Sequence, residues 1–166
     1  HVSKLELGTY ATDPQLIELP DFISGVMEEF DKEISEKQLS IDMRYDPERL
    51  QLSCDPRLLR IILSNLISNS VKYTGPSGVI KLSCQLADRY FVFEISDTGI
   101  GVPADEVSRL FTRFYRASNA QQQRIEGTGL GLYIVKQAIE KLNGSITVSS
   151  SLGKGSVFLC RLPLEG

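Results

Sequence analysis

Asn65, Asn69 and Lys72 stand at i, i+4 and i+7 in the stretch RLLRIILSNLISNSVKYT. At the helical ~100° per residue they share a stripe about 60° wide, beside an apolar face of Leu59, Ile62, Leu63, Leu66 and Ile67. A carboxamide oxygen can ligate Mg²⁺, and a lysine ammonium beside it can meet phosphate oxygens. A solvated polar stripe is the plainer alternative. In EISDTGIGVP, an apolar strand ends in Asp97, and Gly99 and Gly101 flank Ile100. A carboxylate there can accept from an exocyclic amine such as adenine N6, while the glycines let backbone approach a flat ring. A simple turn would also use these residues.

In RLFTRFYR, Phe111, Phe114 and Tyr115 could pack a lid and Arg116 could contact phosphate, or the segment could be a core-packing helix end. GTGLGL, residues 127–132, sets Gly127, Gly129 and Gly131 on alternate positions around Thr128 and Leu130, just ahead of the amphipathic run YIVKQAIEKL. Bare backbone at a helix start suits a hinge or an anion, since free N–H groups and the positive dipole end face outward. The pattern fits neither the Walker loop nor the dinucleotide fingerprint.

These residues need elements to hold them. Apolar positions at Ile23, Val26, Met27, Phe30 and Ile34 predict one amphipathic helix over 13–36. LSIDMRY and RLQLSC alternate as two short strands. Asp55-Pro56 is a strong helix start for the segment through Tyr73, which the GPSG turn stops. VIKLSCQL and YFVFEIS form a strand pair, ITVSS and SVFLCRL another. Between the pairs, residues 98–126 read as a long loop with a short helix near Pro103, and NAQQQRIEG reads as mobile. HVSKLELG reads as the last turns of a helix. Strands in adjacent pairs define an α+β class, a mixed, mostly antiparallel sheet with helices on one face.

Bulk properties narrow the function. The chain has 166 residues, 42% hydrophobic and 23% charged, which fits one ordinary globular domain. The formal net charge is −3 without a lysine/arginine run, so nucleic acid is not an expected partner. Cys54, Cys84 and Cys160 are far apart without CxxC spacing, which disfavours zinc and disulfides and favours a reducing, cytoplasmic setting. With His1 as the sole histidine, a serine or cysteine triad is not expected. No stretch is long and apolar enough to span a bilayer, so any membrane anchor of a parent protein would lie outside this segment.

NLISNSVKYT, DTGIGV, LFTRFYR and GTGLGLYIVK, in this order, resemble the N box, first glycine box, F box and second glycine box of the sensor histidine kinases. The similarity covers roughly residues 20–164. It implies a Bergerat-type α/β sandwich shared with gyrase, MutL and the heat-shock chaperone ATPases, binding ATP and Mg²⁺. The resemblance makes Asn69 the Mg²⁺ ligand and Lys72 and Tyr73 phosphate and lid contacts. It makes Asp97 the adenine-reading acid, supported by Gly99, Ile100 and Gly101. Arg116 would lie near the γ-phosphate, with Phe111 and Phe114 packing the lid of about 103–127. Gly127, Thr128, Gly129, Leu130 and Gly131 would be both hinge and phosphate cradle.

In the ATPase relatives a glutamate one helical turn before the Mg²⁺ asparagine serves as general base. Here that place is Asn65, whose amide takes no proton near neutral pH. The resemblance thus implies a domain that holds ATP for a histidine elsewhere. His1, followed by VSKLELG, does not match the family's phosphoacceptor pattern. Residues 1–12 instead resemble the end of the dimerisation domain's second helix and a linker, leaving 13–166 as catalytic domain. Implied partners are a dimerisation/phosphoacceptor domain and a response regulator, with a homodimeric parent and a monomeric fragment. An ATP-hydrolysing relative, an anti-sigma-type serine kinase and a nucleotide-binding interaction module are the alternatives.

Overall fold

Asp55 shows how locally the main helix is specified. One carboxylate oxygen accepts from the amides of Arg57 (2.9 Å) and Leu58 (3.2 Å), the N-cap geometry that satisfies otherwise orphaned donors. The other accepts from the Tyr10 hydroxyl (2.9 Å) and the Asp13 amide (2.8 Å), pinning the entering chain to the same point. Burial alone would raise the pKa of this carboxyl. The amides of Asp13, Leu58 and Arg57 and the Tyr10 hydroxyl outweigh it and hold the pKa below the usual value.

The structure is a computed structural model that describes residues 8–113, 115–122 and 131–164. The order is β1 (Gln15–Glu18), α1 (Leu19–Glu28), α2 (Asp31–Glu36), β2 (Ser40–Asp46), β3 (Gln51–Cys54), α3 (Pro56–Tyr73), β4 (Val79–Ala87) and β5 (Tyr90–Asp97). A 3-10 turn (Ala104–Arg109), α4 (Ser118–Gln122), α5 (Gly131–Lys141), β6 (Ser145–Ser151) and β7 (Gly155–Pro163) follow. A five-stranded sheet runs β2-β4-β5-β7-β6, antiparallel except where β2 lies parallel to β4.

Register puts the apolar side chains on one face. Ile80, Leu82 and Cys84 of β4, Phe91, Phe93 and Ile95 of β5, and Phe158, Cys160 and Leu162 of β7 are all buried. The helices supply the opposing layer: α3 packs on α1 and α5, while α3 touches β5 and α5 touches β6. Leu58, Leu59, Ile62, Leu63, Leu66, Ile67 and Val71 face inward along α3, so its apolar stripe defines the core. The expected α+β sandwich, mostly antiparallel with a helical layer, is the observed architecture.

Some local expectations are corrected. The single helix over 13–36 is instead β1, then α1, then α2, with Phe30 as the N-cap between the helices. The break at the start is tertiary: β1 pairs antiparallel with β3, and the Leu19 amide donates to the Leu50 carbonyl at 3.0 Å. For the same reason β2 and β3 are not partners, because β2 joins the main sheet and β3 the two-stranded one. Within NAQQQRIEG, Asn119–Gln122 are helical, as part of α4. Residues 1–7, Phe114 and residues 123–130 lie outside the described residues, and so do the readings of HVSKLEL, Phe114, Gly127, Thr128, Gly129 and Leu130.

All three cysteines are buried and unbridged, as core residues. Burial pushes the Cys84 and Cys160 thiols up to about 12, so both stay protonated and unreactive at neutral pH.

Candidate functional site

Asp97 ends β5 on the buried side of the sheet, opposite Ser156 of β7. The Gly99 amide donates to its Oδ1 at 2.8 Å, and the Ser70 hydroxyl on α3 donates to Oδ2 at 3.4 Å. Burial raises its pKa, and the bonds from Gly99, Ser156 and Ser70 only partly offset this. A carboxylate so placed is an acceptor short of solvent, fit to take a further hydrogen bond from a ligand amine.

Gly99 and Gly101 allow the chain to turn beneath the helix. A Cβ on Gly99 would lie 2.4 Å from the Tyr73 carbonyl oxygen, and the Ile100 amide donates to that same oxygen at 3.1 Å. Gly101 has φ +70, and a Cβ there would lie 2.0 Å from the Ser151 carbonyl oxygen. Only glycine fits both constraints. The Ile100 carbonyl in turn accepts from the Gly153 amide at 2.7 Å, fastening this loop to the β6–β7 hairpin.

Between α3, the end of the sheet and the start of α5 lies a cavity of about 340 Å³, within the size range of small-ligand pockets. Asn65, Ser68, Asn69, Lys72 and Tyr73 line it from α3, on one helix face where residues recur at three- and four-residue spacing. Asp97, Ile100, Gly101 and Gly131 line it as well. Asn65 donates through Nδ2 to the Ile61 carbonyl at 2.7 Å, and its Oδ1 lies 3.2 Å from where a Gly131 Cβ would stand. The start of α5 therefore approaches the polar stripe of α3 closely.

The segment after the 3-10 turn forms another part of the wall. Tyr115, Arg116, Ala117 and Ala120 face the cavity. Glu106 organises them, accepting from the Tyr115 hydroxyl, the Ser118 amide (2.8 Å) and the Ser118 hydroxyl (2.6 Å). The Ser118 and Tyr115 bonds hold the Glu106 carboxyl below the usual range. Asn119 donates to the Gly101 carbonyl at 2.8 Å, joining α4 to the glycine turn. Burial raises the Tyr73 phenol's pKa, with the nearby Arg116 charge opposing the rise.

The structure thus gathers Asn65, Asn69, Lys72, Tyr73, Asp97, Ile100, Gly101, Arg116 and Gly131 around one space. Gly99 sits behind the wall, against Tyr73. Phe111 packs edge-on against Phe158 at 6.3 Å rather than lining the cavity, though Phe158 does line it. Ser70, Ser156 and Phe158 carry no signal in their local sequence; packing of α3 sets Ser70 against Asp97, and the register that pairs Ser156 with Asp97 and Phe158 with Ile95 brings in the other two. Ser68 and Ala120 also escape motif reasoning. No cluster of three or more His, Cys, Asp or Glu able to hold a metal occurs among the described residues.

Residues 54–166 match the family described as histidine kinase-, DNA gyrase B- and HSP90-like ATPases, and the chain belongs to it. It is 33% identical over 158 residues to the sensor histidine kinase AtsR of Burkholderia thailandensis, covering 93% of this chain and 26% of that protein. The catalytic domain of the histidine kinase ThkA superposes with a TM-score of 0.80 at 25% identity, over 92% of this chain and 97% of that one. Full-length ShkA, solved in complex with AMPPNP, gives 0.83 at 26% identity over 98% of this chain and 33% of that one. The chain thus spans about a quarter of AtsR, and no helix among the described residues is long and apolar enough to cross a membrane.

Proposed function

We propose that this chain is the ATP-binding catalytic domain of a sensor histidine kinase, donating the γ-phosphoryl of ATP to a histidine on a dimerisation domain. The observation that carries it is the composition of the cavity wall: among its described residues Asp97 is the sole carboxylate, and it is engaged by Gly99 and Ser70. Asn65 occupies the place of a general base and cannot act as one.

Asp97 takes the adenine amine, with Gly99, Ile100 and Gly101 shaping the backbone beneath the ring. Asn69 would supply a carboxamide oxygen to Mg²⁺. With no acidic cluster to cage the ion among the described residues, the fit is to a metal held mainly by phosphates and water, as Mg²⁺ prefers. Bound there, the ion would supply positive charge against phosphate oxygens. Lys72 and Arg116 add positive charge where the transferring group becomes most negative. Tyr73 closes the space beside Arg116, and Phe111 and Phe114 anchor the covering segment. Gly131 begins α5, and Gly127, Thr128, Gly129 and Leu130, outside the described residues, would join it in offering amides to the triphosphate. The acceptor nitrogen attacks the γ-phosphorus, the bond to the β,γ-bridging oxygen breaks, and ADP leaves.

Residues 1–12 belong in this reading to the end of a dimerisation helix and its linker, and 13–166 to the catalytic domain, with a lid over about 103–127. A homodimeric parent, a response regulator as onward acceptor and a cytoplasmic site follow from the same reading. The experiment is incubation with γ-labelled ATP, alone and with a phosphoacceptor helix pair supplied in trans. Label should appear on the added histidine and only then, and N69A should abolish it. Rapid phosphate release by the chain alone would move it to the ATP-hydrolysing branch.

A further inference from the structure

Helix α3 ends without the glycine cap that usually closes a C-terminus. Its C-cap residue, Thr74, is extended (φ −92, ψ 127), so the last carbonyls cannot be met by a left-handed turn. Ser70 O receives the Thr74 amide at 3.1 Å, and Tyr73 O receives the Ile100 amide at 3.1 Å. That leaves the carbonyls of Val71, Lys72 and Thr74. All three accept from one group, the ammonium of Lys37, at 2.7, 3.0 and 3.0 Å.

We infer that Lys37 is a positioning residue for the nucleotide site: its ammonium clamps the C-terminus of α3 and so holds Lys72 and Tyr73 in the cavity wall. An ammonium has three N–H donors and no acceptor, and here three carbonyls meet it. The charge also lies at the negative end of an 18-residue helix, where a cation is favoured. Lys37 is itself fixed: it caps α2, its amide donating to Glu33 O at 3.0 Å, and its carbonyl accepts from the Ser77 amide at 2.7 Å in the turn after α3. The clamp therefore joins two helices and a turn whose backbone directs two cavity-lining side chains, although Lys37 does not line the cavity.

Without the ammonium, three carbonyls, those of Val71 and Thr74 part-buried and that of Lys72 exposed, lose their donor and the last turn of α3 frays. Fraying moves Lys72 away from the phosphate region, and loosens the Tyr73 carbonyl that receives Ile100. The effect on phosphate-bearing ligands should thus exceed that on the nucleoside. This inference rests on the nucleotide-binding reading for its ligand effect, but the clamp itself has a readout free of nucleotide.

The experiment compares the wild-type chain with K37A and K37M. Amide hydrogen exchange without nucleotide should quicken about tenfold at Thr74 and Ile100, while Leu63 and Leu66 in mid-helix stay unchanged. The Kd for ATP with Mg²⁺ should rise about tenfold, and that for adenosine by clearly less. Propylammonium chloride should restore part of both properties in K37A and change neither in the wild type, with potassium chloride at equal ionic strength as control. If K37A does not fold, K37Q, which keeps two donors without the charge, carries the same comparison. Unchanged exchange at Thr74 and Ile100 in a folded variant would overturn the clamp. So would equal losses for ATP and adenosine without amine rescue. A wild-type chain that bound no nucleotide would defeat the proposed function instead, and the exchange data would still decide the clamp.

Discussion

The Ser70 hydroxyl on α3 donates to Oδ2 of Asp97 at the end of β5, 3.4 Å away, tying the helical layer to the sheet at the cavity floor. Burial nevertheless dominates at Asp97 and raises its pKa. A carboxyl with a higher pKa folded than unfolded costs stability once it must ionise. Stability is therefore lost as pH rises through that window.

D97N should separate binding from folding. It should weaken adenine nucleotides by about 10- to 100-fold, the cost of losing a charged acceptor. The nucleotide-free variant should equal or exceed the wild type in stability at neutral pH, and that margin should shrink as pH falls through the raised pKa of the wild-type carboxyl. Thermal unfolding across this range, with nucleotide titration at pH 7, checks both. A large stability loss at pH 7 would show that Asp97 serves the fold rather than the ligand.

Asp55 has the opposite sign. Its pKa is held below the usual value, so its contribution is present above the unfolded carboxylate pKa and fades as pH falls through the folded one. D55A should cost about 2–4 kcal/mol at neutral pH, combining a lost N-cap with stranded amides of the entering chain. The gap between wild type and D55N, measured by urea unfolding, should narrow below pH ~4. A gap independent of pH would rule out the charge as its source.

Two glycines with similar positive φ should respond differently. Gly153 (φ +76) has open space where a Cβ would go, so G153A should cost about 1–2 kcal/mol of backbone strain. Gly101 (φ +70) faces the Ser151 carbonyl oxygen at 2.0 Å from such a Cβ, so G101A should exceed about 4 kcal/mol or fail to fold. Equal costs in chemical denaturation would mean that the turn can move away from β6.

Asn65 tests the absence of a base. N65E should introduce slow phosphate release from ATP, because a carboxylate beside the cavity can accept a proton from water. The wild type should release none above background. Lack of activity in N65E despite normal ATP binding would show that the position is too far from the attacking water.

Much of the site was legible because its parts are local. Asn65, Asn69 and Lys72 share a helical stripe by spacing alone, and Asp55-Pro56 starts that helix with its own side chain. Asp97 at a strand end and glycines at 99 and 101 announce a tight turn. The strands of the main sheet were equally visible, since one face is buried and alternation follows.

The rest depends on partners distant in sequence. The periodicity of 13–36 cannot reveal that its first turn pairs as β1 with β3, because strand pairing depends on a segment more than thirty residues away. Sheet register put Ser156 and Phe158 into the cavity, and Glu106 reached forward to organise Tyr115 and Ser118. Lys37 is the clearest case. In its own segment it is an ordinary charged residue near a helix end, and the carbonyls it holds lie 34 to 37 residues further on. Side-chain type and local spacing determined which groups could bind a nucleotide; backbone groups left unsatisfied by one element, and met by another, decided where those groups stand.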